Sequence, residues 1–167
     1  NEFNQIPVVG DQVDVFIITF EDRKGNLILS REKAEFMLKW NELKNKHPLN
    51  ILFTFNLNNS IIGYGGIVNI SWLNKRGEIS FLLDDKINEN SKLYQIYFEK
   101  FLTLIKLIAF REIRIKKIYT ETYSFRKKHI KILSIFGFKK EGYLISQYYN
   151  ANKFYNSYIH SLINNTI

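Results

Sequence analysis

One stretch limits the fold more than any other. Within residues 91–114, Leu93, Tyr97, Phe101, Leu104, Ile105 and Ile108 step by three and four, while Glu99, Lys100, Thr103 and Lys106 fall between them. That is the period of a long amphipathic helix with one face committed to a core. It stands between two β-branched and aromatic runs, residues 78–83 and 118–123, which read as strands. A strand, a long helix and a second strand make a crossover, which places the two strands parallel in one sheet. Upstream the pattern is different. The strand at 51–57 turns through Asn58-Asn59-Ser60 into a strand at 61–72, and Asn74-Lys75-Arg76-Gly77 turns that one into 78–83. An antiparallel meander therefore feeds the crossover.

The remaining segments fit around this frame. Residues 13–20 read as a strand, 21–26 as a turn and 27–29 as a short second strand. Ser30 is a helix N-cap with Glu32 and Lys33 in the first turn; Ala34, Met37 and Leu38 follow at helical spacing, and His47-Pro48 stops the run. Residues 84–90 are polar and read as irregular. Ser91 opens the long helix. Ser124 reads as the cap of a shorter helix carrying Ile130, Leu133 and Ile135, with Gly137 as its C′ residue. Strands at 143–149 and 157–163 close the chain around a turn at 150–152. The expected class is α/β (α+β): a mixed, mostly antiparallel sheet with helices on both faces and one β-α-β crossover. Residues 1–48 are expected to be a strand-turn-strand-helix segment completing the fold. Residues 49–167 are the core, in a single domain overall.

Composition removes several function classes. The chain has no cysteine, which excludes disulfides, thiolate metal sites and cysteine nucleophiles. No metal is expected. No apolar run is long enough to span a bilayer, so no membrane partner is expected. Residues 1–10 lack the basic-then-apolar pattern of a secretory leader, and a cytoplasmic location is the expectation. Charge is unevenly placed. Residues 1–50 hold seven basic and eight acidic side chains, whereas residues 51–167 hold 17 and eight. The basic surplus suits a polyanion such as a phosphorylated cofactor, or else a solubilising surface.

Three segments resemble the GNAT acyl-CoA N-acyltransferases. They are Ile62-Gly63-Tyr64-Gly65-Gly66-Ile67; Gly77-Glu78-Ile79-Ser80-Phe81-Leu82-Leu83; and Tyr119-Thr120-Glu121-Thr122-Tyr123 with Gly137-Phe138 and Glu141-Gly142 beyond it. They occur in the family's order across residues 50–163. The tail Lys153-Phe154-Tyr155-Asn156-Ser157-Tyr158-Ile159-His160 is similar to that of amino-sugar acetyltransferases. The resemblance implies an N-acetyltransferase that moves an acetyl group from acetyl-CoA to a primary amine, here one of a nucleotide-linked amino sugar. A protein N-terminus or a small polyamine is the other acceptor it allows, and a homodimer is compatible with it. It also implies that the pantetheine arm pairs with backbone at Phe81, Leu82 and Leu83. The diphosphate then rests at the helix start formed by Lys92, Leu93, Tyr94 and Gln95, where unpaired N–H groups and the dipole favour anions. Arg126 and His129 would face the adenosine phosphates.

Two departures from the family pattern bear on function. The phosphate loop, residues 84–95, contains no glycine and carries Asp84, Asp85 and Glu89, which are expected to face solvent. In the shorter helix, Arg126 and Leu133 stand where many members have Asn and a Tyr that protonates the leaving thiolate. The candidate bases are Glu78, at the start of its strand, and Glu121, mid-strand. Each has a plainer reading: Glu78 as a turn residue after Arg76, Glu121 as an ion-pair partner of Lys139 or Lys140. His129 lies in a basic stretch and reads as solvated. His160 alternates with Ile159 and so faces opposite to it, toward the core, with a catalytic part as its lesser reading. Arg126, Lys127, Lys128 and Lys131 crowd a helix start against its dipole, which phosphate contact explains and local stability does not.

A second resemblance covers residues 9–15 and 27–34. Val9-Gly10-Asp11-Gln12-Val13-Asp14-Val15 and Leu27-Ile28-Leu29-Ser30-Arg31-Glu32-Lys33-Ala34 are similar to the end of an OB-fold repeat of small-subunit ribosomal protein one. It implies an RNA-binding module as the alternative function. The stacking aromatics of such a barrel would sit in strands that this chain lacks, so nucleic acid is not the expected partner. A non-catalytic binding protein of GNAT-like fold is the third alternative.

Overall fold

The computed structural model describes residues 14–19 and 28–165. It divides into two units, at His47 and Pro48. In the first, β1 (Phe16–Thr19) pairs antiparallel with β2 (Ile28–Ser30), and α1 (Arg31–Asn45) follows. Ser30 caps α1 as its type and position suggest, its side chain accepting from the N–H of Lys33 at 3.1 Å. Val13, Phe20, Leu27 and the expected turn at 21–26 lie outside the described residues.

The second unit is a six-stranded sheet in the order β3-β4-β5-β6-β8-β7. Its strands are β3 (Ile51–Leu57), β4 (Ser60–Ser71), β5 (Arg76–Leu83), β6 (Lys117–Tyr123), β7 (Lys139–Asn150) and β8 (Lys153–Ile163). Only the β5–β6 pair is parallel, and every other pair in this sheet is antiparallel. This is the mixed sheet that the meander and crossover predict. The crossover helix is α3 (Ser91–Leu107), which continues as a π-helical turn, Ile108–Glu112.

Several local expectations are corrected. Residues 84–90 are not irregular: α2 (Asp85–Glu89) forms there, with the Lys86 N–H held by the Asp84 carboxylate at 2.9 Å. Asn90, not Ser91, caps α3, accepting from the N–H groups of Lys92 and Leu93. The buried stripe of α3 runs through Tyr94, Phe98, Phe101, Leu102 and Ile105 and continues to Ala109 in the π-helical turn. Leu104 belongs to the rim at 43% exposure, because the helix presents Phe98 and Leu102 to the sheet instead. The last helix, α4 (Lys127–Phe136), starts after Arg126, which makes no side-chain cap, rather than at Ser124. Ile135 is exposed, while Ile132 joins Leu133 in the core. Gly137 ends α4 at φ 110°, a conformation that suits glycine, and Phe138 N–H returns to Leu133 C=O.

The core lies between the sheet and α3. Phe81 on β5 packs its ring against Phe101 (centroids 4.6 Å apart) and Phe98 (4.9 Å), and Phe98 stacks on His129 of α4 at 4.1 Å. Among the described residues, no helix is long and apolar enough to cross a membrane.

Candidate active site

The site begins where a ladder stops. β5 and β6 are in register at Arg76↔Lys117, Gly77↔Ile118 and Glu78↔Tyr119, and no further. Beyond Glu78 the two strands part, although both continue, to Leu83 and Tyr123. The β5 edge that faced β6 is thereby released from pairing over Phe81, Leu82 and Leu83, while its other edge stays bonded to Gly65, Tyr64 and Gly63 of β4. Their side chains do other work: Phe81 joins the aromatic core, Leu83 is buried and Leu82 is half-exposed. The Leu83 carbonyl accepts from the Asn88 side chain at 2.9 Å.

A cavity of about 320 Å³ fills the opening, and both candidate carboxylates, Glu78 and Glu121, line it with Tyr123, Arg126 and His129. Glu78 is not a bare turn residue. Its carboxylate accepts from the Asn69 side chain at 3.1 Å, and Asn69 sits in a bulge of β4 at φ 51°. Tyr119, opposite Glu78, has its phenol pKa raised by burial first and by the Glu78 charge second, with Arg76 opposing. Glu121 forms no pair with Lys139 or Lys140. It accepts from the hydroxyl of fully buried Ser157 at 2.6 Å, and Lys140 instead lies over the Tyr158 ring. The alternation of β6 turns Glu121 to the same side as Tyr119 and Tyr123, away from Thr120 and Thr122, which are buried.

A second cavity, about 430 Å³, adjoins the first through Arg126 and His129. Its other lining side chains include Asn88, Tyr94, Phe125, Lys127 and Lys128, and among the described residues no carboxylate lines it. Cations gathered at the N-terminus of α4 add to the helix dipole and create a positive field that attracts an anion. Lys131 is exposed and does not line this cavity. Asp84, Asp85 and Glu89 are all exposed.

The start of α3 differs from an open anion cradle. The N–H groups of Lys92 and Leu93 are both taken by the Asn90 side chain at 3.1 Å, and the Tyr94 N–H by the Asn90 carbonyl. Gln95 spends its side-chain amide on Glu99. Of the four residues expected here, Tyr94 alone is buried, and its hydroxyl bonds both Arg126 and His129. His129 is not solvated: it is 7% exposed. Burial, then the charges of Arg126 and His160, push its pKa down to about 3. Leu133 is fully buried and packs. His160 is buried in the core, as its alternation with Ile159 suggests, with its pKa lowered by burial and then by Lys140. Among the described residues no group of His, Asp and Glu could hold a metal ion.

The Tyr94 hydroxyl, the Asn69 bulge and Ser157 were not legible as site residues. Tyr94 and His129 stand 35 positions apart, and only the fold joins them. Asn90 carried a signal, since Asn is as good an N-cap as Ser, but Ser91 beside it carried the same one.

Fold and site together define a mixed α/β chain whose parallel β5–β6 pair opens into a cleft, with carboxylates at the point of opening and cations beyond. The acetyltransferase (GNAT) domain model matches residues 28–159, and the chain belongs to the GNAT acetyltransferase family. Its fold is similar to that of the spermidine N-acetyltransferase from Vibrio cholerae in complex with CoA and spermine: TM-score 0.60, 16% identity, 74% of this chain and 72% of that one. A dodecameric structure of the Vibrio cholerae enzyme matches equally, over 83% and 77% of the two chains. So does a probable acetyltransferase, over 79% and 71%. At 16% identity the likeness is one of fold. A shorter similarity is to the ribosomal protein bS1. It is 41% over 46 residues for Mycolicibacterium smegmatis, covering 26% of this chain and 10% of that protein. It is 50% over 44 residues for Rickettsia typhi, covering 26% and 8%. The chain thus spans about a tenth of the length of the curated relatives it matches.

Proposed function

We propose that the chain transfers an acetyl group from acetyl-CoA to a primary amine of a small cationic acceptor. The observation that carries this reading is the shared cavity of Glu78 and Glu121 at the mouth of the β5–β6 opening. Acetyl-CoA supplies an activated acyl thioester. The site's own features fit such a molecule. The released β5 edge at Phe81, Leu82 and Leu83 offers backbone partners to an amide-bearing arm, and the cavity lined by Arg126, Lys127 and Lys128 suits its phosphates. An amine is an ammonium ion in neutral water and must lose a proton before it can attack. Glu78 is the base in this reading, held by Asn69. Glu121, fixed by Ser157, pairs with a positive nitrogen of the acceptor.

Two carboxylates favour an acceptor with more than one positive nitrogen, such as a linear polyamine. A nucleotide-linked amino sugar is the second reading, favoured by a cluster of rings beside the cleft. Tyr123 stacks on Tyr148 at 4.2 Å, and Phe125 meets Tyr155 at 5.1 Å, so a base would find an aromatic face there. Residues from Ile28 belong to this acyltransferase domain in our reading, because the family match begins there. Acetylation rates measured side by side with spermidine and with a nucleotide-linked amino sugar test the acceptor. We expect kcat/KM at least ten-fold higher for spermidine; the reverse order would establish the second reading.

A further inference from the structure

Three side chains meet at the wall shared by the two cavities: Arg126 and His129 line both, and Tyr94 lines the larger. Arg126 stands at the N-cap of α4, Tyr94 in the first turn of α3 and His129 in the first turn of α4. The Arg126 Nη2 donates to the Tyr94 hydroxyl oxygen at 3.0 Å, and that hydroxyl lies 2.5 Å from Nδ1 of His129. The direction of this chain of bonds follows from what each group can do. Arginine has donors only, so it occupies a lone pair of the Tyr94 oxygen. The tyrosine proton is left for His129. The His129 ring is buried against Phe98 and its pKa is about 3, so it is neutral and has one nitrogen able to accept. The order is Arg126 to Tyr94 to His129, with each member fixing the next.

We propose that Tyr94 is a positioning residue: braced by His129, its hydroxyl holds the Arg126 guanidinium at the junction of the two cavities, oriented for a phosphate. The inference rests on the acetyl-CoA reading above. Its physical content is pre-organisation. A free arginine loses rotamer freedom when it binds an anion, and one already tethered loses less. The tether uses one of five N–H donors and leaves the rest for a ligand. It also supplies what the start of α3 withholds, since Asn90 occupies the amides there.

The test compares two ligands that share the thioester arm. Acetyl-CoA carries phosphates and acetyl-pantetheine carries none. Tyr94→Phe removes only the hydroxyl and keeps the ring packed. By calorimetry it should weaken acetyl-CoA about ten-fold, the size of one lost hydrogen bond to a charged group, and leave acetyl-pantetheine unchanged. In an Arg126→Gln background the same change should have no further effect, because there is no guanidinium left to hold. Equal weakening of both ligands would make Tyr94 a packing residue and overturn the proposal. So would a Tyr94→Phe variant that binds acetyl-CoA like the parent, and this outcome leaves the acyltransferase reading intact. A parent protein that binds neither ligand overturns both.

Discussion

Glu78 owes its setting to a break in β4. Asn69 takes φ 51° where the register slips between Val68 and Ser71, a conformation Asn tolerates better than most residues, and its N–H is secured by the Asn50 side chain at 3.0 Å. The bulge brings the Asn69 amide to the Glu78 carboxylate. Glu78→Gln keeps that size and shape and removes the base. It should lower the acetylation rate by on the order of 10²–10⁴ while acetyl-CoA binding survives in calorimetry. Glu121→Gln should instead raise the KM for the amine with kcat nearly kept, because it removes a charge partner only. If Glu121→Gln loses the rate and Glu78→Gln does not, the two roles are exchanged. Both carboxylates were legible in the chain as candidates, since each falls at a definite strand position. Their partners were not. Ser157 and Asn69 reach them across strands, and nothing at positions 69 or 157 announces it.

At the level of elements, the succession of strands and helices from residue 50 was legible because turns and β-branched runs are local signals, whereas the place of β8 between β6 and β7 is a long-range pairing that no local signal announces. The helix faces were read less well. Periodicity alone cannot fix the centre of a wide apolar stripe: Leu104 and Phe98 both belong to α3's apolar set, yet one is rim and the other core. Phe98 is fully buried, with rings of Phe81, Tyr94, Phe101 and His129 around it. Phe98→Ala should cost about 3–5 kcal/mol by the general behaviour of buried aromatics. Leu104→Ala should cost less than about 1 kcal/mol. Denaturant unfolding at constant slope measures both, and equal losses would contradict the packing described. His129 was misread for a related reason. Its neighbours Arg126, Lys127 and Lys128 are basic, but its ring is taken up by Phe98 of another helix.

For the whole molecule, buried neutral histidines make stability fall on the acid side. His129 has a folded pKa of about 3 against 6.5 in the unfolded chain. Between those values the unfolded state binds the extra proton, so stability is complete above about pH 6.5 and is lost as pH falls toward 3. At about 1.4 kcal/mol per pH unit, His129 accounts for about 2 kcal/mol lost by pH 5. His160, also depressed, adds in the same direction. His129→Gln keeps an acceptor for Tyr94 without titrating, and its melting temperature should decline less steeply between pH 7 and 5 than the parent's. A parallel decline would mean that His129 is charged in the fold. Charge also organises function at this scale. The basic surplus lies in residues 51–167, and part of it, Arg126 to Lys128, lines a cavity that no carboxylate among the described residues shares. The central claim is that this cavity and the β5–β6 opening bind acetyl-CoA. The most direct test is the melting curve with and without it. At about 100 times its dissociation constant, acetyl-CoA should stabilise the fold by about 2.7 kcal/mol, a shift of several degrees. A curve unmoved by millimolar acetyl-CoA but raised by single-stranded RNA would contradict the account and favour the bS1-like reading.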